Sequence, residues 1–264
     1  MLIEISLYLL LGAIAGILAG LLGVGGGLII VPVLVAIFSR LLFPNEIIMH
    51  LALGTSLASI LFTSISSVYS HHKHHAVSWS RAIKLTPGIL LGAWLGGLFA
   101  SSISSDNLKP AFAGFELLVA MYMIWGAKAS AHNQTPSLLN FNCSGTSIGF
   151  ISSLVGIGGG TLTVPWLMWH GSSIHKAIAT SAAVGFPIAL GGTLGYVYSG
   201  WSHALLPDNS VGFIYLPALF GIVVNSVIFA PLGTHWAHKL DVKKLKRIFA
   251  FLLIALAAYL LTSH

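Results

Sequence analysis

Two glycine-rich stretches that repeat each other decide the fold of this chain. GVGGGLIIVPVLV occupies residues 23–35 and GIGGGTLTVPWLM occupies residues 156–168. Glycine tolerates the backbone of a tight turn, and proline is accepted near the start of a helix. Each stretch therefore predicts a break in an apolar helix, followed at once by a second helix.

Two further matches occur in the same order along the chain. HLALGTS at 50–56 aligns with HKAIATS at 175–181, and LKPAFA at 108–113 aligns with LKRIFA at 245–250. Ordered self-similarity of this kind indicates an internal duplication. We predict a first membrane repeat at residues 1–127, a polar cytoplasmic linker at 128–142 and a second membrane repeat at 143–264.

The composition places the chain in a membrane. Of its 264 residues 56% are apolar and only 7% are charged, against roughly 25% charged in a soluble domain. These values exclude a soluble enzyme, a disordered chain and a secreted disulfide scaffold. Ten apolar segments without sustained strand-like alternation predict an all-α integral membrane protein with about five helical segments in each repeat.

The basic residues predict that the two repeats have inverted topologies. Lys73, Arg81 and Lys84 follow the third segment, whereas the loop after the eighth segment carries Asp208 and no lysine or arginine. Basic loops stay on the cytoplasmic side, so these two equivalent loops are predicted on opposite sides. Both termini are then predicted to be external (periplasmic).

The glycine-linked segments of the second repeat are short. Residues 143–155 and 161–171 give about 20 and 17 Å of helix, whereas a bilayer core is about 30 Å thick. We therefore predict a re-entrant or half-length helix pair. The first pair is longer, and the sequence leaves open whether it crosses fully or bends in the same way.

Glycine-broken helices at matching positions of inverted repeats are typical of transporter substrate sites, because helix N-termini attract anions. Alternatively, the glycines only allow close helix packing. The hydroxyls early in segments three and eight could complete the site or could bond their own helices, and a mid-segment asparagine is also a candidate. The predicted substrate-binding residues are Gly25, Gly26, Gly27, Thr55, Ser56, Gly158, Gly159, Gly160, Thr180, Ser181 and Asn225.

Two other features invite a functional interpretation. Glu116 is a carboxylate well inside a predicted span, which makes it a proton-coupling candidate, although its repeat mate is Leu253 and a structural role is the alternative. His71, His72, His74 and His75 could bind a metal, but no carboxylate or cysteine adjoins them in the sequence. We interpret them as a solvated cytoplasmic loop and predict no metal site and no cofactor.

The two Gly-Gly-Gly stretches with Val31-Pro32 and Val164-Pro165, together with Ala179-Thr180-Ser181, make the chain resemble the TauE/SafE family over essentially its whole length. The resemblance implies a bacterial inner-membrane transporter with inverted repeats that moves sulfite, sulfonates or thiosulfate. It does not fix the substrate.

The function expected from the sequence is secondary transport of a small sulfur-containing anion by alternating access, without enzymatic activity. The expected partners are that anion and the lipid bilayer, with no nucleic acid, and a homodimer is an open option. Two alternatives remain: a passive anion channel, and a metal-ion transporter or sensor that uses the histidine-rich loop.

Overall fold

A computed structural model describes residues 2–125, 136–237 and 242–262. Within these ranges the chain is helical and has no β-strand, which confirms the predicted all-α class. The helices are α1 Leu2–Leu22, α2 Gly27–Arg40, α3 Asn45–Lys73, α4 Trp79–Ala100, α5 Ser105–Trp125, α6 Leu138–Leu154, α7 Gly160–Trp169, α8 Ile174–Gly200, α9 Leu216–Ala237 and α10 Val242–Thr262.

Six of these helices, α1, α3, α4, α5, α8 and α9, are long and apolar enough to cross a membrane. Helices α2 and α7 have 14 and 10 residues, about 21 and 15 Å at 1.5 Å per residue, and are too short to cross alone. Helix α6 begins at Leu138, inside the stretch predicted as a linker. Residues 128–135 of that linker lie outside the described residues.

Parallel helix pairs connect the two halves of the chain. Successive glycines of α1 and of α4 pack directly on the backbone of α9 and of α6, so any side chain at these positions would collide with the neighbouring helix. Gly12, Gly16 and Gly20 face Ile222, Ser226 and Ala230, whereas Gly88, Gly92 and Gly96 face Asn142, Thr146 and Phe150. Small residues allow this close approach, as in many membrane helix pairs.

Helices α3 and α8 form the centre of the bundle, since 89% and 78% of their most apolar 18-residue stretches are buried. Gly192 of α8 packs on Leu57 of α3, and Gly185 lies near Ser64. Residue numbers therefore rise on one helix as they fall on the other, which means that these two helices run antiparallel.

Helices α1 and α3 run in the same direction, because α9 is parallel to both. Thr63 of α3 contacts Ser226 of α9, and Thr55 contacts Tyr215 just before α9. Helix α2 must therefore return the chain towards the side on which α1 began. In the second half, α8 is parallel to α4, because Gly191 and Gly195 of α8 pack on Leu90 and Trp94 of α4. Helix α6 is parallel to α4 as well, as its contacts with the α4 glycines show. Helix α7 must therefore return the chain between α6 and α8, as α2 does between α1 and α3.

The packing produces two units that each draw helices from both halves. One unit contains α1, α2, α3 and α9, and the other contains α6, α7, α8 and α4. The crossing of α3 and α8 joins the two units, and α5 packs against α10 beside them. The two units have equivalent compositions, because α1, α2, α3 and α9 occupy the same places in the element order of their halves as α6, α7, α8 and α4.

Candidate functional site

The two glycine loops meet in the middle of the bundle. The backbones of Gly25 and Gly158 touch, since a Cβ atom on Gly25 would lie 2.9 Å from the Gly158 Cα atom. The N–H of Gly158 donates a hydrogen bond to the Val24 carbonyl at 3.3 Å. The loops are adjacent at the level where α3 crosses α8, beside Ile60.

Each loop turns directly into a short helix through a left-handed glycine. Gly26 precedes α2 with φ 79° and Gly159 precedes α7 with φ 76°. Neither cap residue offers a side-chain hydrogen bond, so the first N–H groups of both helices lack the usual capping partner. Among the described residues, the N–H groups of Gly27 and Leu28 in α2 make no hydrogen bond, and neither do those of Gly160 and Thr161 in α7.

The opposite loop packs against each helix start. Any side chain on Gly27 would collide with the Gly156 carbonyl oxygen, and any side chain on Gly160 would collide with the Gly23 carbonyl oxygen. Two carbonyl oxygens thus lie beside the partially positive ends of α2 and α7. The helix starts are filled by protein atoms in this conformation.

The serines predicted to line the site hold these carbonyls in place. The Ser56 hydroxyl donates to the Gly156 carbonyl at 2.8 Å, and the Ser181 hydroxyl donates to the Gly23 carbonyl at 3.0 Å. Both serines are fully buried. The structure brings Ser56 and Ser181 to the glycine loops, and each contacts the loop of the other half.

The neighbouring threonines bind the chain that precedes α4 and α9. Thr55 Oγ1 accepts the N–H of Tyr215, and Thr180 Oγ1 accepts the N–H of Ser78, both at 2.9 Å. Asn225 donates from Nδ2 to the Leu9 carbonyl at 2.8 Å and ties α9 to α1. These three side chains therefore hold other segments of the bundle in place, and none of these hydrogen bonds goes to a glycine loop.

A small cavity lies where the loops meet. Its volume is about 10 Å³, room for about one water molecule, and its walls include Gly25, Gly158, Ser64 and Ser67. Sulfite or a sulfonate does not fit in this space. We call this arrangement, in which the loops and the central helices pack against each other, the closed state.

A second, polar cavity of about 480 Å³ lies at the N-terminal end of α3. Its lining includes Glu46, His50, Asp106 and His203. His50 is buried, and its Nε2 atom lies 3.0 Å from the Ile103 carbonyl. The two carboxylates make this cavity unsuited to concentrating an anion, so the glycine loops remain the better candidate.

Glu116 is fully buried in α5, the helix that packs against α10. Neither carboxylate oxygen has a hydrogen-bond partner among the described residues. A buried carboxyl group without a hydrogen-bond partner is uncommon in a membrane helix, which makes Glu116 a candidate functional residue. Val119, about one turn later in α5, lines a small cavity together with Val24 and Gly160 of the glycine loops, so this helix lies beside the loops.

The histidine-rich stretch divides into two parts. Helix α3 extends through Lys73, so His71 is a buried helical residue with Nε2 3.1 Å from the Gly20 carbonyl. His72 is exposed and lies against the Trp79 ring. The expected solvated loop therefore excludes His71. In the part of the chain that the structure describes, no three histidine, cysteine or acidic side chains converge on a point suited to a metal.

Sequence reasoning missed several hydroxyls beside the second loop. Ser152 in α6 and Thr161 and Thr163 in α7 carry buried oxygens without a hydrogen-bond partner among the described residues. Comparing the two repeats could have revealed them, because the first repeat has the apolar residues Ala19, Leu28 and Ile30 at the matching positions.

Six membrane-length helices, together with two short helices that start at the bundle centre, define a multi-pass membrane protein with the architecture of a transporter. The model of the sulfite exporter TauE/SafE family matches residues 8–260. The chain belongs to this family, as its motifs indicated.

Related proteins support the same class. A probable membrane transporter protein of Haemophilus influenzae is 40% identical over 256 residues, covering 96% of each chain. One of Methanocaldococcus jannaschii is 27% identical over 98% of this chain and 96% of its own. Another, YunE of Bacillus subtilis, is 30% identical over 75% of this chain and 81% of its own. No solved structure matches the chain. The family and these relatives are membrane transporters and not enzymes.

Proposed function

We propose that this protein is a secondary transporter of small sulfur-containing anions, of the sulfite, sulfonate or thiosulfate class, across the bacterial inner membrane. The observation that carries the proposal is the meeting of two glycine loops at the bundle centre, each beginning a half-length helix with free N–H groups. Such helix starts favour anions without requiring a buried cation.

The two repeats are inverted in this proposal, with the linker cytoplasmic and both termini external. The antiparallel course of α3 and α8 supports the inversion, because these helices occupy equivalent places in the two repeats. The matched hydrogen bonds of Ser56 and Ser181 support it as well. Inverted repeats around a central site are the usual basis of alternating access.

Alternating access would move one packed unit against the other rather than one half of the sequence against the other. Helix α1 packs on α9 and α4 packs on α6 through backbone contacts, which makes these pairs poor places for sliding. The α3–α8 crossing and the glycine loops form the boundary between the units. Opening at this boundary would separate Gly27 from Gly156 and expose the helix starts to substrate.

Glu116 is the proposed proton-coupling residue. Its buried and unpartnered carboxyl group is suited to bind a proton in one conformation and release it in another. Helix α5 lies beside the glycine loops, where Val119 shares a small cavity with Gly160, so coupling would act through the packing of α5 against the start of α7.

The direct test is transport by the purified protein in proteoliposomes. The panel contains sulfite, thiosulfate, sulfate, taurine, a sulfocarboxylate and a divalent metal. We expect saturable flux of one or more sulfur anions that changes with a pH or sodium gradient. Flux that follows voltage without saturation would indicate a channel instead, and movement of the metal alone would favour the histidine-rich stretch. Protein-free liposomes are the negative control, and the Gly114→Ala variant, whose added atom meets nothing within 4 Å, is the positive control.

A further inference from the structure

The starts of α2 and α7 differ in chemistry although they are equivalent in the duplication. Around α7 the side chains include Ser152, Thr161 and Thr163, whereas the matching positions around α2 hold Ala19, Leu28 and Ile30. At these three positions only the second start has hydroxyls, whereas the hydroxyls near the first loop, those of Ser64 and Ser67, come from α3. The two helix starts are therefore equivalent in backbone structure but differ in the polar side chains around them.

The Ser152 and Thr163 hydroxyls belong to a small set of buried, unpartnered hydroxyls among the described residues, which also includes those of Ser67 and Ser153. Both residues are fully buried, and neither oxygen has a hydrogen-bond partner among the described residues. Other helical hydroxyls, such as those of Thr63, Thr86 and Thr146, donate to the carbonyl four residues earlier. For Thr163 that carbonyl belongs to Gly159 and already accepts the N–H groups of Leu162 and Thr163.

These two hydroxyls converge on one point. A Cβ atom on Gly159 would lie 3.4 Å from Ser152 Oγ and 3.4 Å from Thr163 Oγ1. The nearest atom to that point is the Cδ1 methyl group of Ile188 from α8, which contacts it. A place surrounded by two unused donors and the start of α7 is therefore filled by an apolar side chain in the closed state.

We propose that the second glycine loop is the anion-binding subsite and that Ile188 covers it in the closed state. Ser152 and Thr163 would donate hydroxyl hydrogen bonds to the oxygens of a sulfite or sulfonate group, and the N–H groups of Gly160 and Thr161 would complete the binding. The first loop is then a packing element. This assignment rests on the proposed function of anion transport.

The chemistry explains how an anion can be bound without a buried cation. Hydroxyl and backbone donors to a charged acceptor form charge-assisted hydrogen bonds that are stronger than neutral ones. They also leave the empty site neutral, so no uncompensated charge remains when the substrate leaves. Ile188 belongs to α8, the helix that forms the boundary between the units, so opening would withdraw its methyl group as the site becomes accessible.

The test uses substitutions that remove a hydroxyl and little else. Ser152→Ala and Thr163→Val are expected to raise KM for the transported anion roughly tenfold or more each, the effect of losing one hydrogen bond to a charged group. Thr163→Ser keeps the hydroxyl and is expected to restore KM. Ser153→Ala is the matched control, because Ser153 is equally buried but packs against Gly192 of α8.

The outcomes separate this inference from the proposed function. Absence of saturable anion flux in the wild-type protein would overturn the proposed function. Saturable wild-type flux with KM values for Ser152→Ala and Thr163→Val equal to that of Ser153→Ala would overturn the subsite alone. A rise in KM that Thr163→Ser reverses, in variants that elute as the wild type does in size-exclusion chromatography, would support the subsite.

Discussion

The Ser56 hydroxyl donates to the carbonyl of Gly156, a residue 100 positions later in the chain, at 2.8 Å. Ser181 makes the matching bond to Gly23, 158 positions earlier, at 3.0 Å. Each repeat thus fixes the glycine loop of the other. The turn that leads into each short helix is therefore held by a serine from the other packed unit.

Loss of these hydroxyls is expected to weaken the closed state. Ser56→Ala and Ser181→Ala each leave a buried carbonyl without its side-chain donor, at a cost of about 1 kcal/mol. Thermal unfolding in detergent would show a midpoint lower by about 2 to 4 °C for each variant. Ser102→Ala is the control, since Ser102 is exposed. A midpoint unchanged in both serine variants would contradict the structural role.

A side chain at either left-handed glycine is expected to abolish transport. In Gly26→Ala the new Cβ atom would approach Ala15 at 2.9 Å with φ 79°, and in Gly159→Ala it would collide with Ile188. A left-handed backbone costs a non-glycine residue about 1 to 2 kcal/mol in addition to the collision.

Gly114→Ala provides the comparison for this experiment, because nothing lies within 4 Å of the added atom. Proteoliposome flux and the amount of protein inserted in the membrane are measured for all three variants. Wild-type flux in Gly26→Ala and Gly159→Ala would reject the loops as the site.

Glu116→Gln tests proton coupling. The amide has nearly the shape of the carboxyl group but cannot exchange a proton near neutral pH. We expect anion flux to lose its response to an imposed pH gradient, while exchange of the anion against itself continues. A retained response would mean that the proton is carried elsewhere or that another gradient drives transport.

We expect three of the four histidines in this stretch to be dispensable for transport, and the fourth, His71, to be needed for stability. His72→Ala, His74→Ala and His75→Ala together should leave anion flux near the wild-type rate. His71→Ala should lower thermal stability, because His71 is buried against the Gly20 carbonyl. Loss of flux in the triple variant, with metal movement lost as well, would instead favour a metal transporter.

The predicted orientation can be checked with reporters. Fusions at the C-terminus are expected to read as periplasmic, and a single cysteine placed in the linker at residues 128–135 should be protected from an impermeant thiol reagent in intact cells. Cys143 is exposed, so the labelling experiment is done in a Cys143→Ser background. A cytoplasmic C-terminus would refute the parity of crossings on which the inversion depends.

Much of the architecture followed from the sequence alone. The repeated glycine stretches predicted two broken helices, because glycine and proline act on the local backbone wherever they occur. Apolar segment lengths predicted a short helix at residues 161–171, which is close to the observed α7 at Gly160–Trp169. The motifs also indicated the family. Each of these inferences depends on local backbone preference or on burial summed over a segment.

Tertiary structure alone decided how the segments combine. The sequence predicts two successive repeats, yet α1 packs on α9 and α4 packs on α6, so each packed unit contains helices from both repeats. It also could not distinguish Ser56, which is bonded to Gly156, from Ser152, whose hydroxyl has no partner among the described residues. Local preference determines that a helix breaks at Gly26 and Gly159, but the partner of a hydroxyl depends on which distant backbone the fold brings beside it.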